Sequence, residues 1–410
     1  MRREVSGIIL LVTSLASAQA SAQASAQAAC TAPLSDSIVT ATVPGRPFVA
    51  LPSRDGCHLF VSLNPSGPDE QAAVAVLDVG RTLTLRRVVP TPQVPSGMAL
   101  SRDGRVLIAA HNESASLFDV AALLQGEDAL LGRIPEKAGA GRVYAATSPD
   151  DALLFLADER TQSITVVDFV RARVKGGAAQ SVLGFIPTGD LPIALTFSPD
   201  GKWLYTTSQR VPTSAQANPA QWPVVCRKQG SLDPRDPPAQ VEGAVLVVDM
   251  SKVRTDAAHS VARVVRAGCN PVRFVFSPTG DRAYVSARAE NALLVFDARK
   301  LGVRGDTANP LIGRIPVGTA PVGIAVTPDG RRVLVTNSNR FAGGADDKQS
   351  VTVIDATRVT DGAKAILGEI PAGAFPRELR LMPNGRTLVL TNYNSKTVQL
   401  VDLAKIPGAR

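Results

Sequence analysis

Arginine is the residue type in this chain that most clearly suggests a binding function. Six arginines fall in segments that we expect to share one face of the fold: Arg142, Arg210, Arg273, Arg288, Arg340 and Arg377. A guanidinium group binds a carboxylate or a phosphate through two parallel hydrogen bonds. Arginines that converge on one opening would therefore suit a small anionic ligand. The alternative is that they are ordinary solvated charges at the rim of the fold.

Candidates for catalysis are few. Of the histidines His58, His111 and His259, only His111 is expected on the same face as the arginines. There it could act as a general base beside Glu113 or Glu159, with a packing role as the alternative. The sequence has no Gly-Xaa-Ser-Xaa-Gly elbow, phosphate-binding loop, paired-histidine metal motif or Cys-Xaa-Xaa-Cys-His motif. We therefore expect neither a metal nor a cofactor and leave the catalytic residues unassigned.

The elements that must position these side chains come from a unit that occurs seven times. Each copy has an apolar run, an Asp-Gly-type turn, a second apolar run and a third run that ends on aspartate. In six copies the turn begins eight residues after a proline, at Asp55, Asp103, Asp200, Thr279, Asp329 and Asn384. In another copy Arg142 replaces the proline, eight residues before Asp150. A period of about fifty residues built from strand-length pieces predicts a propeller.

The two ends of the chain indicate how the ring closes. A fourth, outer strand follows each complete copy, which gives a four-stranded antiparallel blade. The last copy stops at Asp402 without an outer strand, and a spare strand at residues 37–43 precedes the first copy. Pairing these ends would leave no loose edge. We predict an all-β, seven-bladed β-propeller of four-stranded blades, closed by residues 38–43 beside residues 398–402.

Strand direction sorts the loops onto two faces. We call "top" the face that carries the connectors into each first strand and the loops between second and third strands. The "bottom" face carries the Asp-Gly turns. On the top face, residues 210–243 form an insertion in the fourth copy, and residues 339–349 form a smaller one that contains Asp346 and Asp347. Long loops in a compact domain are often lids or partner contacts, and lineage-specific decoration is the alternative.

The N-terminus is typical of a secretory signal. Arg2 and Arg3 precede a short apolar stretch at residues 8–15, and small-residue cleavage sites follow. That stretch is shorter than the roughly 20 residues that a membrane-spanning helix needs. We predict a signal peptide with its cleavage region at residues 1–29 and a single propeller domain at residues 30–410, exported to the periplasm or outside the cell. A lipid anchor on Cys30 is the less favoured alternative, because Gln27 stands where a lipobox usually has leucine.

Four cysteines in an exported chain suggest two disulfides. Cys57 follows an Asp-Gly turn, and Cys30 precedes the spare strand at the same bottom face. Cys226 lies in the top-face insertion, and Cys269 lies in the next connector on that face. The other pairings would join opposite faces, beyond the reach of a disulfide. We predict the pairs Cys30–Cys57 and Cys226–Cys269.

Three motifs resemble those of a known family. They are the Ser-Pro-Asp-Gly turn at residues 198–201, the Val-Thr-Asn strand end at residues 335–337 and the Val-Thr-Val-Ile-Asp strand at residues 351–355. Together they resemble the YVTN-repeat β-propellers, exported bacterial proteins related in fold to the lactonase-like propellers. The resemblance spans about residues 38–402 and implies the fold, but superfolds host many activities.

Composition narrows the choice of function. The formal net charge of +8 is modest for 410 residues, and aromatic residues make up 4%. The modest charge, the few aromatic residues and the predicted export of the protein together argue against a nucleic-acid partner. We predict a monomeric, non-catalytic binding protein whose top face holds a small anionic ligand or contacts an envelope protein or glycan. The alternative is a lactonase-like hydrolase of a small carboxylate or lactone in the central top-face pocket, which convergence of His111, an acid and two arginines would favour.

Overall fold

The described residues form seven blade sheets around a central channel. A computed structural model describes residues 30, 32–212, 222–228, 236–302, 309–341 and 348–407. Each sheet corresponds to one sequence repeat, and consecutive strands within it pair antiparallel. The innermost strands of neighbouring sheets contact one another around the channel. The seven-bladed, all-β architecture predicted from the sequence is confirmed.

The strands follow the repeat order. The terminal strand and blades one to three comprise β1 Ile38–Thr42, β2 Arg46–Pro52, β3 His58–Asn64, β4 Ala73–Val79, β5 Leu83–Pro90, β6 Met98–Leu100, β7 Val106–Ala110, β8 Ala115–Asp119, β9 Leu130–Ile134, β10 Arg142–Thr147, β11 Leu153–Asp158, β12 Ser163–Asp168 and β13 Val182–Pro187. Blades four to seven comprise β14 Asp190–Pro192, β15 Thr196–Phe197, β16 Trp203–Arg210, β17 Val224–Cys226, β18 Gln240–Val241, β19 Ala244–Asp249, β20 Val261–Arg266, β21 Pro271–Phe276, β22 Arg282–Ala287, β23 Ala292–Asp297, β24 Leu311–Pro316, β25 Pro321–Val326, β26 Arg332–Asn337, β27 Lys348–Asp355, β28 Ile366–Ala374, β29 Pro376–Leu381, β30 Thr387–Asn392 and β31 Thr397–Asp402.

Helical segments are short and follow the third strands or lie near the rim. The α-helices that lie wholly within the described residues are α1 Val120–Gln125 and α2 Phe169–Ala172. The 3₁₀ turns are Ala178–Gln180, Ala257–His259, Arg288–Glu290, Ala298–Lys300, Ala356–Arg358, Gly362–Ala365 and Leu403–Lys405. The aspartate that ends each third strand explains several of these turns. Asp119, for example, accepts a hydrogen bond from the Ala122 backbone N–H (2.8 Å) and so caps α1.

The ends of the chain close the ring as expected. Strand β1 pairs antiparallel with β31, with Ile38 opposite Val401 and Thr42 opposite Thr397. The sheet order β1-β31-β30-β29 makes the N-terminal strand the outer strand of blade seven. Blade seven therefore contains strands from both ends of the described chain. This arrangement hides the strand edges that an open sheet would expose.

The Ser-Pro-Asp-Gly motif forms a turn on the bottom face. In blade four, Ser198 Oγ donates to Asp200 Oδ1 (2.6 Å), and Asp200 Oδ1 also accepts from the Lys202 backbone N–H (3.1 Å). Gly201 has a φ of 70°, a conformation that glycine adopts without strain. Equivalent bonds occur in blades one, two, three and six, for example between Ser101 and Asp103.

The threonine of the Val-Thr-Asn motif accepts a hydrogen bond from the bulged part of the innermost strand. The first strands of several blades are irregular after their proline, which frees one backbone N–H. Gly323 N donates to Thr336 Oγ1 (2.7 Å), and Glu378 N donates to Thr391 Oγ1 (3.1 Å). Bulges bend a strand and redirect its side chains. The bulges of this fold lie along the channel, beside the candidate functional residues.

Aliphatic side chains fill the spaces between neighbouring blades. Between blades six and seven, Leu334 and Val353 pack with Leu388 and Leu390, and all four are fully buried. Aromatic residues are few, so the core consists mainly of Val, Leu, Ile and Ala. These interblade layers hold the innermost strands in fixed positions around the channel.

Blade four departs most from the repeat. Its innermost strand is split into β14 and β15, so its sheet has five strands instead of the four expected. The described part of the insertion forms the β17–β18 hairpin, and Trp222 is buried against Val211, Ala244 and Leu246. The predicted signal segment at residues 1–29, residues 213–221 and 229–235 of the insertion, and Asp346 with Asp347 lie outside the described residues.

Two disulfides tie loops to the ring. Cys30 bonds to Cys57 (Cα–Cα 4.9 Å) and Cys226 bonds to Cys269 (5.5 Å), the pairs expected from the sequence. The second bridge attaches the insertion hairpin to the connector that enters blade five. No helix in the described part of the chain is long and apolar enough to cross a membrane.

Candidate functional site

Three arginines and one glutamate meet at the top end of the channel. Arg377 lies in innermost strand β29, and Arg288, Arg340 and Glu159 lie in loops between second and third strands of blades five, six and three. Arg288 and Arg340 both lie against the Phe341 ring, and Arg340 and Arg377 both lie against the Phe375 ring. The charges of all three act on the Glu159 carboxyl. We call these four residues the upper mouth.

Arg377 is a buried cation that has no acidic partner among the described residues. Its residue surface is 7% exposed, and its guanidinium carbon lies 3.4 Å from the centre of the Phe48 ring. Across the described residues, its Nε has no hydrogen-bond partner, and the side chain makes no ion pair. Burial and the nearby Arg273 lower the pKa of Arg377 to about 10. The charged form is thus held in an unfavourable environment.

Arg288 is in a similar position. It is 2% exposed, and its Nη2 donates to Gln209 Oε1 (2.6 Å), a neutral acceptor. Its Nε lacks a partner within the described part of the chain. Burial, followed by the like charges of Arg340 and Arg377, lowers the pKa of Arg288 to about 9. Gln209 satisfies one donor but neutralises no charge.

Aromatic rings support the third arginine and wall the opening. The Arg340 guanidinium lies 5.3 Å from the centre of the Phe341 ring and 5.7 Å from that of Phe375. The Arg288 guanidinium lies 5.5 Å from the Phe341 ring. Such cation–ring contacts fix the planes of the guanidinium groups but do not neutralise them.

Glu159 faces the arginines without touching them. It is half-buried, and burial raises the pKa of its carboxyl, while Arg377, Arg288 and Arg340 act in the opposite direction. Among the described residues, no ion pair or side-chain hydrogen bond joins Glu159 to any of them. The arginines are therefore near enough to influence the charge of the carboxyl without being hydrogen-bonded to it in the described structure. Three cations against one carboxylate give the upper mouth a positive excess.

Below the upper mouth, a second group crosses the channel. Glu378 Oε2 accepts hydrogen bonds from Tyr144 Oη (2.6 Å) and from Arg273 Nη2 (2.7 Å) and Nε (3.1 Å). The Arg273 guanidinium also stacks on the Tyr144 ring, 4.1 Å from its centre. Although burial opposes it, Glu378 raises the pKa of Arg273, and Arg273 in turn lowers that of Glu378. We call these three residues the central network, and each belongs to a different blade.

Arg142, one of the six arginines considered for a shared opening, is instead paired within its own blade. Arg142 stands opposite Asp158 in the β10–β11 ladder, and its Nε donates to Asp158 Oδ1 (3.2 Å). Its Nη1 donates to the Pro135 carbonyl (3.1 Å). An acidic partner sixteen residues away in the same blade therefore holds this guanidinium. Arg273 and Arg377 do lie together along the channel.

Arg210 also has a partner of its own. It ends strand β16 and forms an ion pair with Asp190 (2.5 Å), which stands opposite it in β14. Its side chain is partly exposed. Of the six arginines singled out from the sequence, the structure brings Arg288, Arg340 and Arg377 to the upper mouth and Arg273 to the network beneath it.

His111 does not converge with an acid and arginines, the arrangement that would have favoured the hydrolase alternative. His111 is fully buried and its Nε2 lies 2.8 Å from Ser116 Oγ. Burial lowers its pKa to about 4, so the ring is neutral and packed. Glu113 accepts a hydrogen bond from the Gly139 backbone N–H (2.7 Å), at the connector into blade three. Only Glu159 of the three acid–base candidates lies at the upper mouth.

Sequence reasoning missed the aromatic residues and the partners of Arg273. Phe48 and Arg377 each follow the proline of their repeats, in blades that adjoin across the ring closure. That shared position could have predicted their contact. Gly323 shows how closely blades six and seven meet here, because an added Cβ would lie 2.9 Å from the Arg377 carbonyl oxygen. No cluster of His, Cys, Asp and Glu suited to a metal occurs in the described residues.

Comparison with known proteins agrees with the fold. A family model described as Lactonase, 7-bladed beta-propeller matches residues 241–409, which contain Arg273, Arg288, Arg340 and Arg377. No curated protein matches this chain significantly.

Several solved structures are similar over most of the chain. Kuenenia stuttgartiensis hydrazine synthase has 20% identity and a TM-score of 0.62, covering 89% of this chain and 97% of that one. The Cps50 (Swd1) β-propeller domain of Myceliophteria thermophila has 12% identity and a TM-score of 0.62, covering 89% and 98%. A protein from Bacteroides uniformis described as a 6-phosphogluconolactonase has 17% identity and a TM-score of 0.59, covering 84% and 91%. At these identities the likeness concerns the fold alone.

Proposed function

We propose that this chain binds a small molecule bearing a carboxylate or a phosphate at the upper mouth. The observation that carries the proposal is Arg377, a buried guanidinium without an acidic partner in the described residues. Burying an unpaired charge costs several kcal/mol, so such groups are normally paired. An anion between Arg377, Arg288 and Arg340 would supply the missing partner and relieve the repulsion among the three cations.

The surroundings favour a polyhydroxylated anion. Glu159 can accept hydrogen bonds from ligand hydroxyl groups, and Gln209 offers an amide beside Arg288. The rings of Phe341 and Phe375 give the opening an apolar wall on which a sugar face can lie. We therefore favour sugar acids and their phosphates. The Bacteroides uniformis protein described as a 6-phosphogluconolactonase suggests 6-phosphogluconate as a first probe.

Titration calorimetry at low ionic strength tests the proposal, because salt weakens exposed charge interactions. The wild-type protein should bind 6-phosphogluconate and gluconate but not glucose. Arg377→Gln should lose this binding, whereas Arg331→Gln, at an exposed arginine of a bottom turn, should retain it. Equal binding of glucose, or full binding by Arg377→Gln, would overturn the proposal.

Hydrolysis of a sugar lactone is the second candidate function. The lactonase family match and the raised pKa of Glu159 favour it. Glu159 would accept a proton from water as the oxygen attacks the lactone carbonyl, and an arginine would stabilise the developing oxyanion. Cleavage of the ring C–O bond would then return that proton to the leaving alkoxide. Glu159→Gln should abolish turnover of a δ-lactone while retaining product binding; if the wild type does not hydrolyse δ-lactones, binding alone remains.

We propose that the protein that carries this site is exported and monomeric. The two disulfides are typical of proteins in oxidising compartments. The bridge from Cys226 to Cys269 attaches the insertion beside the top face, which suits a lid or a contact with an envelope protein or glycan. Mass spectrometry of the secreted protein would test this by locating its N-terminus. A mature chain that begins at or just before Cys30, without lipid, is the expected result.

A further inference from the structure

The channel contains a second chamber, on the bottom side of the central network. It is a cavity of about 340 Å³, and all seven blades contribute residues of their innermost strands to its wall. Most of the residues that line it are apolar, although polar atoms make up about half of the surface that the wall exposes. Its larger apolar side chains are Leu51, Met98, Leu195, Phe274, Ile324 and Leu379. We call this space the lower cavity.

The lower cavity is closed at one end and open at the other. Tyr144, Arg273 and Met98 at its inner end are buried. Ala146 and Thr196, near the ends of their strands, are partly exposed. Because innermost strands run from the top to the bottom face, the exposed end is the bottom opening. Small-molecule sites are commonly concave, mostly apolar chambers with a few polar groups at a fixed position.

The central network separates the lower cavity from the upper mouth. Tyr144, Arg273 and Glu378 are bonded to one another across the channel from blades three, five and seven. The stacking of Arg273 on Tyr144 adds a continuous layer of side chains. A ligand entering from the bottom would therefore meet this layer and go no further.

Two arginines that line the cavity each have an N–H donor without a hydrogen-bond partner among the described residues. Arg273 Nη1 and Arg380 Nε are buried and have no hydrogen-bond partner in the described residues. The carboxylate of Glu378 is already in use, since Oε2 accepts from Tyr144 and Arg273 and Oε1 lies 3.3 Å from Arg380 Nη2. Two cations against one carboxylate leave one positive charge in excess. The chamber thus offers unpaired donors and a net positive charge, with Arg273 at its closed end and the more exposed Arg380 nearer its opening.

We propose that the lower cavity is a second binding site, for an amphipathic carboxylate. Its apolar body would lie against the aliphatic wall and its carboxylate would reach Arg273 Nη1 and Arg380. This ligand class differs from the polar, hydroxylated anion proposed for the upper mouth. The two sites lie on opposite sides of the same network and are entered from opposite faces.

Calorimetric titration of the full-length protein with octanoate tests this proposal, with 1-octanol as the neutral counterpart of equal chain length. Octanoate should bind at least about tenfold more tightly than octanol, because an ionic hydrogen bond contributes about 1.5–3 kcal/mol. Ala146→Phe fills the cavity from its apolar wall, and Arg380→Gln removes the more accessible cation. Each should weaken octanoate binding at least fivefold. Arg331→Gln, at an exposed arginine outside the cavity, is the matched control and should bind as the wild type does.

Three results would overturn the proposal. They are no octanoate binding by the wild type, equal affinities for octanoate and octanol, and octanoate binding unaffected by both cavity variants. Near-ultraviolet circular dichroism of each variant checks that it is folded. If one cavity variant fails to fold, the other still decides the outcome.

Discussion

Arg377 and Arg273 are both buried arginines of the central channel, yet their environments are opposite. Arg273 is bonded to Glu378 and Tyr144, and the carboxylate of Glu378 raises its pKa despite burial. Arg377 is stacked on Phe48 and has no acidic partner in the described residues, and burial and Arg273 lower its pKa. Glu378 neutralises the charge of the first arginine, whereas a ligand would neutralise the charge of the second.

The contrast teaches how to distinguish structural from functional charge in this fold. Removing one partner of a buried ion pair leaves an uncompensated charge and is strongly destabilising. Removing a buried charge that has no partner relieves an existing cost instead. Mutations in the central network should therefore lower the free energy of unfolding. Mutations in the upper mouth should instead weaken ligand binding.

The largest effect is expected from Glu378→Gln. This change leaves Arg273 buried without a carboxylate and should lower the free energy of unfolding by about 3–5 kcal/mol. Urea denaturation followed by fluorescence measures it. Glu369→Gln, at an exposed position of β28, is the matched control and should change stability by less than about 0.5 kcal/mol. A loss below about 1 kcal/mol for Glu378→Gln would mean that the network is not structural.

Within the upper mouth, Arg288 and Arg340 should differ in their contribution to binding. Arg288 is buried, so Arg288→Gln should weaken binding of 6-phosphogluconate by about 1.5–3 kcal/mol, or roughly 10- to 150-fold. Arg340 is exposed, so Arg340→Gln should cost about 1 kcal/mol or less. Calorimetry on both variants compares them directly. The reverse order would show that the ligand contacts the outer rim and not the buried part of the opening.

A smaller effect is expected from pH, through Glu159. Its folded pKa is raised above the ordinary value of 4.5, so the folded protein holds this proton more tightly than the unfolded chain. Any stability from this proton is present at low pH and is lost as pH rises through the folded pKa. Protonation also removes a negative charge from the site, so an anion should bind more tightly as pH falls.

A sulfonate ligand isolates this effect, because it does not itself titrate near neutrality. Its affinity should rise by about 1 kcal/mol, or roughly fivefold, on lowering the pH through the pKa of Glu159. In Glu159→Gln the affinity should be high and independent of pH over the same range. A pH dependence that survives in this variant would assign the effect to another group.

The sequence predicted the architecture because its signals are local and repeated. The proline-to-turn spacing and the Asp-Gly turns defined the blades, and the spare strand at residues 37–43 predicted ring closure. The split innermost strand of blade four was not predicted, since Thr196 and Phe197 continue an apolar run without an obvious break.

The partners of the buried charges were beyond sequence reasoning. Arg273 and Glu378 are 105 residues apart and lie in different blades. Arg142 shares the start of a first strand with the channel arginines but meets Asp158 across its own hairpin. Position within the repeat predicted which arginines approach the channel, but only three-dimensional proximity determines which of them have an acid beside them.

The most direct test of the central claim combines two measurements on Arg377→Gln, the free energy of unfolding and the affinity for 6-phosphogluconate. If Arg377 is an unpaired cation that awaits a ligand, the variant should be within about 1 kcal/mol of the wild type in stability, or more stable, and should bind at least about tenfold more weakly. If the variant loses stability as Glu378→Gln does and still binds the anion with wild-type affinity, Arg377 is a structural residue and the account is wrong.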